Sequence, residues 1–355
     1  MTVALPAAAP VSAASLRYFI ADCLCAVGVP AAGAQQVATL MARADLTGAD
    51  GHGVFRLPQY LRRIRAGGMN VAPDIRVARE STAIAVVDGD NGMGHLVMQH
   101  ATELAIAKAL AHGIGWVGAF NSNHAGPAAL YADMAAERGL VGIYLSVGSA
   151  NHMAPWGSMD ALLSTNPIAI AVPSGRHGSV LLDMATTVAA YGRVKVAAQR
   201  GQAMPEGWMI DGSGQPLTDP KRAREGTLLP IGGYKGYGLS LMIGLLAGSL
   251  NGAAMGSQVV DFNADDTTVT NTGHAIAVLD PAAFCDPQAL RNEVDRVVDE
   301  LHAARKLPGV DRIRVPGEGR NATLVERERQ GVPLSAELRA TLATLAAELG
   351  IAALP

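Results

Sequence analysis

Strand and helix patterns alternate through the middle of the chain, and this alternation limits the fold more than any other feature. The segments "TAIAVVDGDNG" and "IGWVGAF" are typical of strands, and "HLVMQHATELAIAKALAHG" between them repeats apolar residues with a helical period. A second helix pattern, "GPAALYADMAAERG", leads to the strand pattern "LVGIYLSVG". Two further strands are predicted in "NPIAIAVP" and "SVLLDMA", and another in "HAIAVLDPAAF". We therefore predict an α/β protein, with two helices in residues 12–48 and amphipathic helices near the C-terminus.

The glycine-rich turn "VVDGDNGMGHLVMQ" resembles the start of a dinucleotide-binding strand–turn–helix unit, but the match is incomplete. Gly92 and Gly94 fit the G-x-G-x-x-G spacing, whereas position 97 is Val. No acidic residue ends the following strand at the expected distance. An ordinary turn is the better interpretation, and the sequence does not predict a Rossmann fold.

Residues 236–256 contain no charged residue and are long enough to cross a bilayer. The stretch also contains several glycines, two serines and an asparagine, and it has no aromatic belt. We therefore predict a buried core helix here and no membrane association.

Composition excludes some other classes of protein. The chain carries 28 Lys and Arg against 31 Asp and Glu, and its densest basic cluster, residues 62–65, is short. This argues against nucleic-acid binding. Three scattered cysteines indicate reduced thiols, and the N-terminus lacks the pattern of a signal peptide, so we expect a cytoplasmic location and no metal site.

Several polar residues stand in glycine-rich loops. His52 and Arg56 in "GHGVFRLPQY" are either incidental surface residues or a proton donor and a carboxylate clamp. His124 in "NSNHAG" is placed at a helix N-terminus, where the helix dipole favours neutral imidazole; the simpler interpretation is that Asn121 to Asn123 cap the helix. Asp183 ends a strand and serves as either a ligand group or a cap.

Two more loops are rich in glycine. The segment "GGYKGYG", residues 232–238, offers backbone N–H groups and Lys235 as an anion cradle. The segment "RVPGEGR", residues 314–320, predicts only a turn when it is read alone.

Together these segments resemble the type-2 malate/L-lactate dehydrogenases. The matching elements occur in the family's order over most of residues 40–320. They include "ADLTGADGHGVFRLPQYLRRIRAGG", "NSNHAGPAALYADMAAERGLVGI", "LLDMATTVAAYGRV", "LLPIGGYKGYGLSLMIGLLAGSL" and "RVPGEGR". The resemblance implies a non-Rossmann α/β fold around a largely antiparallel sheet, NAD or NADP as cofactor, and a homodimer with the cofactor site near the subunit interface.

The resemblance also implies roles for individual residues. His52 is expected to serve as acid/base, Arg56 to hold the substrate carboxylate, and His124 and Asp183 to act with them in the active site. The residues expected at the cofactor are Ser149, Asp183, Met184, Ala185, Thr186, Lys235, Gly236, Pro316, Gly317 and Glu318.

Two positions depart from the family pattern. Gly51 stands where the family has serine, and Ala125 stands where it has phenylalanine. We expect Gly51 to remove a hydroxyl near the acid/base group and Ala125 to enlarge the pocket. The resemblance further implies three regions: an N-terminal helical region 1–80 with the His-Gly-x-x-Arg motif, a cofactor and substrate core 81–310, and a C-terminal region 311–355 that packs back on the first.

The predicted activity is hydride transfer between nicotinamide and C2 of a small 2-oxo or 2-hydroxy acid. Two alternatives stay open. One is reduction of a cyclic ketimine such as piperideine- or pyrroline-2-carboxylate, with Asp183 holding the ring nitrogen. The other is a non-catalytic anion-binding protein that uses His52 and Arg56 for recognition alone.

Overall fold

A seven-stranded mixed sheet forms the centre of the protein, as described by a computed structural model that covers residues 9–355 apart from the side chains of residues 195, 196, 199 and 200. Its strand order is β1-β2-β3-β11-β4-β7-β8, and a smaller sheet has the order β6-β5-β10-β9. The strands are β1 Arg76–Glu80, β2 Ile84–Asp88, β3 Ile114–Ser122, β4 Val141–Ser146, β5 Asn151–Met153, β6 Leu163–Ser164, β7 Ile168–Val172, β8 Val180–Met184, β9 Met209–Asp211, β10 Gly226–Leu228 and β11 Thr272–Leu279.

Ten α-helices surround the sheets in the described part of the chain. They are α1 Ala13–Ala26, α2 Ala31–Leu46, α3 Leu57–Arg65, α4 Gly94–His112, α5 Ala129–Ala136, α6 Tyr191–Arg200, α7 Tyr234–Ala247, α8 Pro287–Ala303, α9 Glu318–Gln330 and α10 Ala336–Leu349.

The sheet is largely antiparallel, as predicted. In the seven-stranded sheet only β2 and β3 pair in parallel, and α4 connects them. Because a Rossmann fold needs a run of parallel strands, this single parallel pair confirms the non-Rossmann α/β prediction. Strand β11 lies at the centre, between β3 and β4, and seven of its eight residues are buried.

Two large apolar clusters hold the molecule together. One lies between the sheet and helices α4 and α5. The other joins α1, α2 and α3 to α10, and a β-bridge between Val11 and Val332 joins the segment before α1 to the segment before α10. The division into regions 1–80, 81–310 and 311–355 stays a prediction.

Helix α7 corrects one expectation. It was predicted to be a buried core helix, but only one of its faces is buried. Leu239, Met242 and Leu245 form an exposed apolar stripe on the other face, and Met242 is 54% exposed. No helix in residues 9–355 has both the length and the apolar content to span a bilayer.

The first turn of α4 packs directly against the loop that follows β3. A Cβ atom on Gly94 would overlap with the backbone carbonyls of Asn123 and His124. The glycine at this position therefore lets the helix approach the backbone of the loop that carries His124.

Replacing Gly94 with alanine should force this loop away from the helix. We expect the free energy of unfolding to fall by about 1–3 kcal/mol, the usual cost of overpacking. Chemical denaturation measures this change. The matched control is Gly319→Ala in α9, where an added Cβ meets nothing within 4 Å, so the variant should be neutral or slightly more stable. Equal stabilities for the two variants would contradict the proposed fit.

Candidate active site

Two short 3₁₀ turns, Asp50–His52 and Val54–Arg56, present the His-Gly-x-x-Arg motif just before α3. The buried Asp45 carboxylate accepts a hydrogen bond from the Val54 backbone N–H at 2.8 Å. It presses against Gly53, where any Cβ would overlap with the carboxylate. Arg327 of α9 bonds the Asp45 carbonyl and the Asp50 carboxylate. The motif is therefore fixed by Asp45 of α2 and by Arg327 of α9.

His52 and His124, which the sequence placed in one site, contact each other through their rings. His52 Nδ1 lies 3.2 Å from His124 Nε2. The rings are parallel to within 5°, with centroids 5.2 Å apart. This separation is too wide for face-to-face contact and fits an N–H···N hydrogen bond close to the ring planes.

Other residues of this cluster were not identified from the sequence. The Tyr60 hydroxyl lies 2.6 Å from His124 Nδ1, and the Phe262 ring packs against both His124 and Tyr60. Tyr60 could have been found, because it follows Arg56 by one helical turn. Phe262 belongs to a loop with no local pattern, and Gln59 fixes this loop by donating to the Phe262 carbonyl at 2.7 Å.

The loop around His124 differs from the expected helix N-terminus. Helix α5 begins only at Ala129, and its N-cap residue Ala128 has no side-chain acceptor, so the predicted capping by Asn121 to Asn123 is wrong. Asn123 instead donates to the carbonyls of Asn91 and Gly92 at 3.1 and 3.0 Å. Beneath the loop, buried His274 of β11 bonds the Ser122 hydroxyl at 3.1 Å. The loop is thus fixed by the glycine-rich turn before α4 and by the central strand.

Burial keeps both histidines neutral. It lowers the pKa of His52 to about 4, with a further lowering from the nearby Arg56 charge. The pKa of His124 is also lowered, first by burial and then by Arg56 and the neighbouring histidines. The lowered pKa of His124 agrees with the neutral imidazole predicted from the sequence, but its main cause is desolvation rather than a helix dipole. Both residues remain partly open to solvent despite this desolvation, so they lie in a recess of the surface, called the cleft.

Arg56 lies in the same cleft and has no carboxylate partner among residues 9–355. Its Nε donates to the Gly51 carbonyl at 3.0 Å, and Nη1 donates to Gln59 and Asn263 at 2.8 and 3.0 Å. Within the described chain Nη2 makes no hydrogen bond. Burial lowers the pKa of Arg56, yet a guanidinium stays charged at physiological pH. The site thus holds a cation that no anion of the described residues neutralises.

Asp183 is the last residue but one of β8 and lies beside the His124 loop. Its Oδ2 accepts a hydrogen bond from the Ala129 backbone N–H at 3.2 Å, so it caps the start of α5. Desolvation by the surrounding groups raises the pKa of its carboxyl, although the residue as a whole is exposed to solvent. No hydrogen bond joins Asp183 to His52 or His124 in the described residues.

Two of the predicted cofactor segments lie side by side. The Ile231 backbone N–H donates to the Thr186 carbonyl at 2.9 Å, and Thr187 pairs with Pro230. This brings the segment with Asp183, Met184, Ala185 and Thr186 next to the loop before α7. Lys235 is exposed in the first turn of α7, whereas Gly236 is buried against the Ile231 carbonyl.

Ser149 and the 316–318 loop contact two other parts of the molecule, the Phe262 loop and strand β8. The Ser149 carbonyl accepts from the Phe262 N–H at 2.9 Å, and the Pro316 carbonyl accepts from the Leu181 N–H at 3.1 Å. Gly317 packs against Leu181 with a φ of 94°. Glu318 bonds His302 and Arg312, the latter at 2.7 Å. The cofactor roles of these residues stay predictions.

The two departures from the family pattern lie in different environments. Gly51 is exposed, and an added Cβ would meet nothing within 4 Å, so a serine would fit there. The Ala125 side chain is buried in the apolar cluster between the sheet and α5. The structure therefore gives no support for a larger pocket at Ala125.

The match to known proteins agrees with this geometry. The model of the malate/L-lactate dehydrogenase family matches residues 11–343. The chain belongs to the malate/L-lactate dehydrogenase family. It is therefore a dehydrogenase, and the resemblance seen in the sequence is confirmed.

Relatives within the malate/L-lactate dehydrogenase family differ in their substrates. The chain is 38% identical over 344 residues to a malate dehydrogenase of Pyrococcus horikoshii, covering 95% of this chain and 94% of the relative. It is 36% identical over 312 residues to a Delta(1)-pyrroline-2-carboxylate/Delta(1)-piperideine-2-carboxylate reductase of Pseudomonas putida, covering 87% and 88%. The solved sulfolactate dehydrogenase of Methanocaldococcus jannaschii has a TM-score of 0.89 at 36% identity, covering 96% and 98%.

His95 of this dehydrogenase makes the fold sensitive to acid. It is fully buried, and burial lowers its pKa from 6.5 to about 3. The unfolded chain therefore binds this proton first, and stability is lost as the pH falls below about 6.5. In His95→Leu, the loss of unfolding free energy between pH 7 and pH 4 should shrink by roughly 2–3 kcal/mol.

Urea denaturation at the two pH values measures this difference. The control is His112→Gln, because that ring lies exposed at the end of α4. If the unfolding free energy of His95→Leu falls between pH 7 and pH 4 by as much as that of the wild type, His95 is not a source of the acid sensitivity.

Proposed function

We propose that this dehydrogenase transfers hydride reversibly between NAD(P)H and C2 of a small 2-oxo acid. One observation carries the proposal: the unneutralised Arg56 guanidinium shares a cleft with the neutral His52–His124 pair. A partly buried cation without an anionic partner is costly, and a substrate carboxylate removes that cost. The free Nη2 is suited to bind one carboxylate oxygen.

The substrate carboxylate also changes the histidines. Because the charge of Arg56 lowers the pKa of His52, neutralising that charge raises it again. His52 therefore becomes easier to protonate once the substrate is bound. It can then deliver a proton to the substrate oxygen as general acid.

The reduction balances with one hydride and one proton. The hydride forms the new C2–H bond, the electron pair of the carbonyl π bond moves to oxygen, and oxygen takes the proton from His52. In the reverse direction His52 takes up the hydroxyl proton. Arg56 holds C2 in place in both directions.

The residues around α7 fit a dinucleotide cofactor. The first turn of α7 has no side-chain cap, so its backbone N–H groups and the exposed Lys235 form a donor set suited to a phosphate. The segment 183–186 and Gly236 would line the same region, with Ser149 and residues 316–318 at its edges. When bound, the nicotinamide supplies or accepts the hydride.

A cyclic ketimine is the second candidate substrate. Asp183 favours it, because its exposed carboxyl group beside the His124 loop could accept a hydrogen bond from a protonated ring nitrogen. The Pseudomonas putida relative is named as a reductase of such imines. We rank it second, because Asp183 already bonds the Ala129 N–H and does not contact the histidines.

A substrate panel tests the proposal directly. Malate-, lactate- and sulfolactate-type acids and cyclic imines would be assayed with NADH and with NADPH by nicotinamide absorbance, with His52→Gln as the inactive control. Turnover of 2-oxo acids is expected, and turnover of imines alone would favour the second candidate. If neither cofactor raises the melting temperature, the anion-binding alternative gains and the proposal fails.

Arg56→Lys should raise KM by about 10- to 100-fold, because an ammonium cannot reproduce the forked donors of a guanidinium. We expect kcat to fall much less. Steady-state kinetics on the best 2-oxo acid measure both constants. Arg62→Lys is the matched control, since Arg62 lies exposed on α3, the helix that follows Arg56, and bonds Asp266 instead. An unchanged KM in Arg56→Lys would exclude the clamp.

The exposed stripe of α7 supports the homodimer that the sequence resemblance implies. Leu239, Met242 and Leu245 repeat at intervals of three on one helix face. Met242→Glu should therefore shift the mass in solution from twice the chain mass to the 36.6 kDa of one chain. Light scattering after gel filtration gives the mass. Leu110→Glu, at an exposed position on α4, is the control that should stay dimeric.

A further inference from the structure

Tyr60 is fully buried, and its hydroxyl makes one hydrogen bond within the described chain, to His124 Nδ1 at 2.6 Å. Its ring is wedged edge-on between His95 and Phe262. The phenol stays protonated, because burial raises the pKa of Tyr60. The hydroxyl is therefore fixed in place and directed at one nitrogen of the acid/base pair.

The direction of this hydrogen bond follows from proton counting. The phenol proton of Tyr60 has no acceptor in residues 9–355 other than His124 Nδ1. The Gly126 backbone N–H also points at this nitrogen, from 3.4 Å, and this contact favours a lone pair rather than a proton on Nδ1 of the neutral ring. His124 Nδ1 must therefore be the acceptor, and its single proton lies on Nε2.

The rest of the chain of hydrogen bonds is then determined. His124 Nε2–H donates to His52 Nδ1 across 3.2 Å. A neutral His52 with Nδ1 as acceptor carries its proton on Nε2. This leaves His52 Nε2–H, which has no partner in the described residues, as the group available to the cleft.

We propose that Tyr60 is a positioning residue that fixes the proton arrangement of the His124–His52 pair, so that His52 presents an Nε2–H donor to the substrate oxygen. This inference rests on the proposed function for its catalytic meaning. The groups that act on His124 are Arg56, His52, His95 and His274, and none of them is an anion. Hydrogen bonding rather than a carboxylate therefore decides which nitrogen carries the proton.

The Tyr60 hydroxyl also stabilises the His124–His52 pair when the pair is protonated. When His124 gains a solvent proton on Nδ1, the Tyr60 oxygen can accept that N–H, which a phenyl ring cannot do. As the substrate oxygen takes the His52 Nε2 proton, the His124 Nε2 proton moves to His52 Nδ1. Both rings are then neutral with their protons on Nδ1, and exchange with solvent returns these protons to Nε2 before the next turnover. One proton is consumed for each hydride transferred.

Tyr60→Phe tests the inference, because it removes the hydroxyl and keeps the ring between His95 and Phe262. Tyr131→Phe is the matched control: Tyr131 is equally buried and donates to the Ala125 carbonyl at 2.5 Å in the same loop, without touching a ring nitrogen. Long-range ¹H–¹⁵N correlation spectra of histidine-labelled protein at neutral pH report which nitrogens carry protons. His52→Gln and His124→Gln assign the signals.

In the wild type and in Tyr131→Phe we expect Nδ1 of both rings to be unprotonated and Nε2 to be protonated. In Tyr60→Phe the His124 signals should move toward a mixture of the two tautomers. A proton on Nδ1 of either ring in the wild type would overturn the inference. Wild-type spectra for Tyr60→Phe would overturn it as well.

Kinetics provide the second readout. Tyr60→Phe should lower kcat by about 10-fold or more while KM changes little, and Tyr131→Phe should keep the wild-type kcat. An unchanged kcat in Tyr60→Phe excludes the positioning role. If the wild type reduces none of the panel substrates, the proposed function fails, and the spectra still decide the proton arrangement on their own.

Discussion

The contact between His52 and His124 requires two distant segments of the chain to be positioned precisely, and much of the structure around them does this. The first ring comes from a turn in the N-terminal helical layer and the second from a loop at the end of a sheet strand, and the two nitrogens must lie 3.2 Å apart. Neither segment is positioned by its own local structure. Asp45 and Arg327 hold the first, and Asn123 and His274 hold the second. The docking of the helical layer on the sheet therefore determines whether the pair exists.

Enclosing the histidine pair and Arg56 together lowers the stability of the folded protein for electrostatic reasons. Arg56 has no anion partner in the described chain, and the buried histidines around it are kept neutral by desolvation. Such an arrangement destabilises the fold and is kept where it is useful for binding and catalysis. With Arg56 as the proposed carboxylate clamp, recognition would also be selective, because a ligand without a negative group would leave the guanidinium unneutralised.

Much of the fold could be predicted from the sequence because its elements are strongly periodic. Strands β2, β3, β4, β7, β8 and β11 and the long helices follow patterns that local burial imposes. The pieces that escaped prediction lack such patterns: β1 is exposed throughout, the strands of the small sheet have two or three residues, and α9 begins in a charged glycine-rich segment. In the site, His52, Arg56 and His124 were predicted together through the family motifs. Phe262, His95 and His274 were missed, because their proximity depends on pairing between distant parts of the chain, which no local spacing records.

The turn at Gly92 and Gly94 also shows what a glycine motif reports. In a dinucleotide-binding unit, glycine at such a turn allows a pyrophosphate to approach the backbone. Here the approaching group is the protein's own main chain, at Asn123 and His124. A search that scores glycine spacing alone cannot separate these two situations, since both need a missing side chain at the same kind of position. Only the residues packed against the glycine show whether a ligand or the protein backbone occupies that space. Here they belong to the loop after β3.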